Sequence, residues 1–411
     1  MSVPPPRVFA VDDNRVPGPG FGKCAGRRMT TEIITGQPDD LIRLRPDGGA
    51  PHPTVAQLLA STAGSGDPAG LDPYIRGLLV IGHLLIEGDE AEHIVLDGAT
   101  GRVFSMYLFE ESPDLTDVLP LAPSRDALTR FLAATDELAG TYGQFARFAD
   151  RSGPRAVAEA SAGLLAVFED EEWGGDWGSA GDRDEWEHSV PAFWRIAALV
   201  RPLALIARPG DGLFLDLPEG VLEEEFGERE VVRFDRSDLP DALAHLPTRR
   251  FLTETGLPSD GGMFSLGTEA PRLVSLAACR DEHHDGADLY GYPPSMADIA
   301  DRLFYLGWLV EDTAVFVDGA TGTVHAWSVP QATLLPLNAD VSTLAFTVWI
   351  LHREHALDEE HGLTADMYQP LADTMARVLA AVDPVACRST GEEGDWRYWP
   401  EVFHDEPGGV L

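Results

Sequence analysis

The chain has 411 residues with 68 acidic against 30 basic side chains, and its formal net charge of −38 excludes nucleic acid as a direct ligand, since phosphate contacts need clustered Lys and Arg. A hydrophobic content of 44% can bury a sizeable core, and the length points to two domains rather than one. Cys24, Cys279 and Cys387 are odd in number and far apart, which excludes a disulfide framework or a C-x-x-C metal knuckle and suits a cytoplasmic protein.

In chain order, residues 1–35 are rich in Pro and Gly and read as an irregular extension. Their G-P-G-F-G-K run lacks the spacing of a phosphate-binding loop, and the N-terminus lacks the basic-then-apolar pattern of a signal peptide. Helical spacing appears between Pro53 and Thr62, then again from Arg125 to Ala139 and from Ala156 to Phe168. The apolar runs Leu78 to Ile86 and Ile196 to Ala207 are too short or too interrupted to span a bilayer, so no membrane is expected. Ser189 to Ala207 reads as an apolar helix or strand, and Pro209-Gly210-Asp211-Gly212 marks a linker over 209–218. Beyond it come a short helix ended by Gly227, a strand over Val231 to Phe234, and a helix between Pro247 and Gly256.

One stretch occurs twice. I-V-L-D-G-A-T-G-R-V-F begins at Ile94 and V-F-V-D-G-A-T-G-T-V-H at Val315, each reading as two strands joined by a tight turn. Asp97 and Asp318 supply acceptors for the turn, while Gly98 and Gly101, with Gly319 and Gly322, are expected to tolerate positive φ. Upstream of each lies an apolar run broken by one glycine, L-L-V-I-G-H-L-L and L-F-Y-L-G-W-L-V. Downstream of each lies L-P-L and then an amphipathic helix, with Leu128, Phe131 and Leu132 or with Leu344, Val348 and Leu351. Four ordered elements repeated in this way predict homologous domains over 36–208 and 219–411.

Between Glu169 and His188 the chain interleaves Trp173, Trp177 and Trp186 with Asp176, Asp182, Asp184 and Glu185. Such a loop either folds back on its own domain or presents aromatic anchors to a basic partner, and these seven residues are the candidate partner-binding set.

The run L-E-E-E-F-G…V-V-R-F…L-P…T-R-R-F-L-T-E-T-G-L-P, followed by V-D-G-A-T-G-T-V and closed by W-R-Y-W-P-E-V-F, resembles the fourth subfamily of SUKH immunity proteins of bacterial polymorphic toxin systems. The resemblance covers residues 215–411 and, more loosely, 40–205, where R-R-F-L-T-E-T-G-L-P has no counterpart. It implies an α+β fold with two tandem SUKH-like domains, each a mixed or mostly antiparallel sheet with packed helices. It also implies a non-enzymatic protein that binds and neutralises a cognate toxin. A basic, nucleic-acid-targeting toxin would be steered toward so acidic a chain.

Two other classes stay open on the residues alone, a hydrolase or metal-dependent enzyme and a general regulatory binding module. His352 and His355 lie one helical turn apart, but H-x-x-H without the Glu of H-E-x-x-H lacks the zinc-protease base. His283-His284 and His361 add no ligand motif, no G-x-S-x-G is present, and a lone Asp97 or Asp318 falls short of a calcium loop. No catalytic residue, metal or cofactor is expected.

Overall fold

The repeated hairpins each sit in the middle of a five-stranded antiparallel sheet. The computed structural model describes residues 42–45, 51–62, 67–86, 89–169, 190–267, 273–278, 296–310, 313–328, 333–388 and 397–411. The extension expected over 1–35 lies outside them.

In the first half β1 (Ile42–Leu44) is followed by α1 (Val55–Ser61) and α2 (Pro73–Gly77) before the chain returns as β2 (Leu79–Ile86), β3 (Asp89–Leu96), β4 (Val103–Tyr107) and β5 (Asp117–Ala122). The strands lie in the order β1-β2-β3-β4-β5. Three helices follow, α3 (Arg125–Ala139), α4 (Pro154–Glu169) and α5 (Ala192–Val200). The middle is made of short pieces: β6 (Arg208–Pro209), β7 (Leu215–Asp216), α6 (Val221–Phe226), β8 (Val231–Val232), α7 (Leu246–Glu254) and β9 (Leu257–Pro258). The second sheet repeats the first plan. Its edge strand β10 (Phe264–Leu266) is separated by an excursion holding α8 (Ala297–Ala300) from β11 (Leu303–Leu309), β12 (Thr313–Asp318), β13 (Val324–Ser328) and β14 (Thr333–Asn338), in the order β10-β11-β12-β13-β14. Then come α9 (Val341–His361), α10 (Thr364–Val382), α11 (Pro384–Cys387) and α12 (Tyr398–His404). The fold is α+β with antiparallel sheets.

The repeat extends to details of register. Gly82 and Gly307 each follow a β-bulge and each pair with the edge strand, opposite Leu44 and Leu266. A Cβ at either position would run into an edge-strand carbonyl, that of Arg43 or of Ser265, so the glycine that breaks each apolar run is where two backbones approach too closely for a side chain. Pro120 and Pro336 occupy matching rungs of the last strands, opposite Phe104 and His325. There a missing N–H leaves no ladder bond unmade, because the strand is at the edge. Each sheet then leads into a capped helix: Ser124 accepts from the Ala127 N–H, and Asp340 from the N–H groups of Ser342 and Thr343. Caps of this kind contribute about 1 kcal/mol each.

Both sheets bury two faces. Val80, Val95, Phe104 and Met106 pack under α1 and α2 in one satellite core, and Phe316 and Trp327 pack against Met296 and Ala300 in another. The opposite faces of both sheets share one continuous core with α3, α5, α9, α10 and α12. Residues from Asp39 onward accordingly make one compact unit, held across its middle by α10 packed on α5 and on the 3-10 turn Arg201–Ile206.

Two local expectations are corrected. The strand expected over Val231 to Phe234 is only β8, two residues paired with β9. The helix at Leu344, Val348 and Leu351 is not amphipathic over its first three turns: every residue from Val341 to Leu351 is buried, because sheet, α6, α7 and α10 surround it. The stretch 209–218 carries the β6–β7 hairpin, and the Phe214 and Leu215 N–H groups donate to Asp340 and Ser342 at the start of α9, at 2.6 and 3.1 Å.

Candidate functional site

The two D-G-A-T-G turns have the same backbone and different surroundings. In each, the aspartate carbonyl accepts from the N–H of the second glycine at 2.8 Å, and its Oδ1 accepts from the alanine N–H at 2.8 Å. Positive φ occurs at the second glycine alone, +79° at Gly101 and +82° at Gly322, so Gly98 and Gly319 do not serve the role expected of them. Gly98 has room for a Cβ, whereas one at Gly319 would meet Phe304 and the Ala242 carbonyl. The first turn is solvent-facing, with Thr100 donating to Asp97 Oδ2 at 2.8 Å. Hydrogen bonds to its oxygens hold the Asp97 carboxyl below its usual pKa against the opposing effect of burial. The second turn is docked: Asp318 is buried and pairs with Arg302 at 3.1 Å, and the His245 N–H donates to the Gly319 carbonyl.

Trp173, Asp176, Trp177, Asp182, Asp184, Glu185 and Trp186 all lie outside the described residues, as do His283 and His284. The chain is described again from Val190, and α5 then buries Phe193 and Trp194, the latter donating its indole N–H to the Leu121 carbonyl.

His352 and His355 are neighbours on α9 but engage different partners. His352 Nδ1 lies 3.1 Å from Glu225 Oε1 on α6, and His355 Nε2 lies 2.6 Å from the Val410 carbonyl oxygen, so Nε2 is the protonated nitrogen. Among the described residues no three His, Cys, Asp or Glu side chains are grouped as a metal site would need. Between the two histidines sits an unforeseen group, Glu354. It is fully buried, neither carboxylate oxygen accepts a hydrogen bond among the described residues, and His355 Nε2 is 3.8 Å away. Burial, reinforced by the nearby Asp358 charge, pushes its pKa up to about 8. Sequence could not reveal this, since H-R-E-H looks like a polar helix surface.

A cleft of about 380 Å³ opens between the helices that follow the first sheet and α9. Val157 and Leu203 line it on one side, Val221, Glu224 and Glu225 of α6 add to its wall, and Trp349, Arg353 and Leu357 form a stripe along α9. The Trp349 indole N–H is buried there without a hydrogen-bond partner among the described residues.

The second sheet, its flanking pieces and the helices from α9 to α12 now have a family counterpart. Residues 217–405 match the SUKH-4 immunity protein family. The SUKH-4 match begins at Leu217, directly after β7, and closes just beyond α12, a little under half of the chain. It supports the SUKH superfamily for this segment. Near the end of the matched segment Trp399 is structural: it is fully buried and donates to Asn338 Oδ1 at 3.1 Å. Asn338 in turn donates to Thr347 and Asp383, and Asp383 accepts from the Ala339 N–H and caps α11. No curated protein and no solved structure matches the chain. No helix among the described residues is long and apolar enough to cross a membrane.

Proposed function

We propose that this chain is an immunity protein of a bacterial polymorphic toxin system, a cytoplasmic, non-enzymatic binder that neutralises a cognate toxin by occupying its working surface. The SUKH-4 match over residues 217–405 carries this reading. The net charge of −38 agrees with it, because a toxin acting on nucleic acid presents a basic cleft and long-range attraction speeds its capture. Two SUKH-like units in tandem, 36–208 and 219–411, are part of the same proposal. The matching strand orders, bulges and edge prolines of the two sheets support it.

The test is co-expression with the products of the reading frames adjoining this gene, among which the proposal expects a toxin. The expected outcome is rescue of growth together with a stoichiometric complex on size exclusion. A toxic product that neither binds the purified chain nor loses toxicity in its presence overturns the reading.

A further inference from the structure

The last two strands of the two sheets correspond rung for rung, and the comparison isolates what the first half adds. Tyr107 faces Asp117 across the last rung of β4 and β5 as Ser328 faces Thr333 across that of β13 and β14. Between those rungs the second half needs only residues 329–332, whereas the first half spends residues 108–116. Closing the hairpin therefore does not require the longer connection.

That connection is a built platform. The Phe109 N–H donates to Thr116 Oγ1 and the Ser112 N–H to the Phe109 carbonyl, both at 3.2 Å, and a 3-10 turn over Pro113–Leu115 places Pro113 and Thr116 in the interior. What it holds outward is apolar. Tyr107 is 56% exposed, Phe109 42% and Leu115 61%, and the two rings meet edge to face with centroids 4.8 Å apart. Around them stand Glu110, Glu111, Asp114 and Asp117, all exposed and none paired with a cation among the described residues. Residues 103–124 contain no Lys or Arg. Folding alone would favour turning these apolar groups inward, so a rigid element that presents them to water is the chemistry of an interface anchor. The acid rim selects the occupant. It repels phosphate and anionic lipid, and it attracts a basic protein face whose Arg or Lys side chains can lie over the rings and between the carboxylates.

We propose that the platform formed by Tyr107, Phe109 and Leu115 with its rim of four carboxylates is the surface that binds a basic face of the partner protein. This rests on the toxin-binding reading above. The apolar groups hold the complex together and the rim steers its formation.

The experiment uses the full chain and a catalytically inactivated form of the adjoining toxin-like protein. Binding kinetics are measured for wild type, for Y107A/F109A/L115A and for E110Q/E111Q/D114N/D117N, with melting temperatures alongside. The apolar variant is expected to raise Kd by roughly 30-fold or more through faster dissociation, at unchanged melting temperature. The rim variant is expected to slow association by roughly tenfold at low salt, an effect that fades as salt screens it over about 10 Å. A wild-type complex whose Kd and association rate are the same in both variants overturns this surface and leaves the immunity function standing. Absence of any complex with wild type overturns both. Self-association of wild type that the apolar variant abolishes, with toxin affinity kept, assigns the platform to a second copy of the chain and overturns the proposal. If the apolar variant melts early, the rim variant, which changes only exposed side chains, decides.

Discussion

Replacing Glu354 with Gln tests whether a carboxyl group is held neutral inside the second half of this protein. The folded pKa of about 8 lies above the model-peptide value of 4.5, so the folded state keeps a proton that the unfolded state releases. Stability from this group is therefore complete below the unfolded value and is lost as pH rises through the folded one. At about pH 7 the unfolded carboxyl is ionised and the folded one is not, which at 1.36 kcal/mol per unit amounts to roughly 3 kcal/mol lost. At about pH 5 the loss is under roughly 1 kcal/mol by the same arithmetic. E354Q removes the titration and leaves a pH-independent cost for burying an amide, about 1–3 kcal/mol. The other groups near this position, His355 and Asp358 on α9 and Tyr368 on α10, are common to both proteins and largely cancel. Urea unfolding of wild type and E354Q at pH 5 and 7 should show the gap between them shift in favour of the variant by roughly 2 kcal/mol. A gap that does not change with pH refutes the reasoning, and so does one that shifts toward wild type.

Two further predictions concern the frame. Gly82→Ala and Gly307→Ala should each destabilise by about 2 kcal/mol or more, because the new Cβ meets a backbone carbonyl that cannot move without opening the edge strand, whereas Gly98→Ala, with only Leu79 Cδ1 at 3.7 Å, should stay within about 1 kcal/mol. Thermal melts of the three variants check this ordering. Asn338→Ala should cost roughly 2–4 kcal/mol, since it strands the Trp399 indole N–H and one acceptor of Asp383 in the interior. A double-mutant cycle with Trp399→Phe should recover part of that loss, and strict additivity of the two single losses would contradict a shared network.

Much of each sheet was legible because its signals are local. The strands flanking each D-G-A-T-G turn and the helix from Arg125 to Ala139 depend on residues within a few positions of one another, and they form where the pattern places them. Gly82 and Gly307 were visible as breaks in the apolar runs, but their reason was not, since the carbonyls they accommodate belong to β1 and β10. Those edge strands are three residues long and pair across excursions that carry helices, so they leave no periodic trace.

By itself the sequence determined the repeated hairpin, the acidic charge and the likeness of residues 215–411 to SUKH immunity proteins, and that likeness implied the α+β class. The first three are properties of composition or of short-range pattern. Tertiary structure alone decided which apolar surfaces meet. It put α10 against α5 so that one core runs through both halves, surrounded the first turns of α9 on every side, sealed Glu354 away from water, and turned Tyr107 and Phe109 outward. An apolar side chain looks the same in the sequence whether its neighbour is solvent, a sheet or a distant helix. Burial is a sum over residues far apart in the chain, and only the folded packing evaluates that sum.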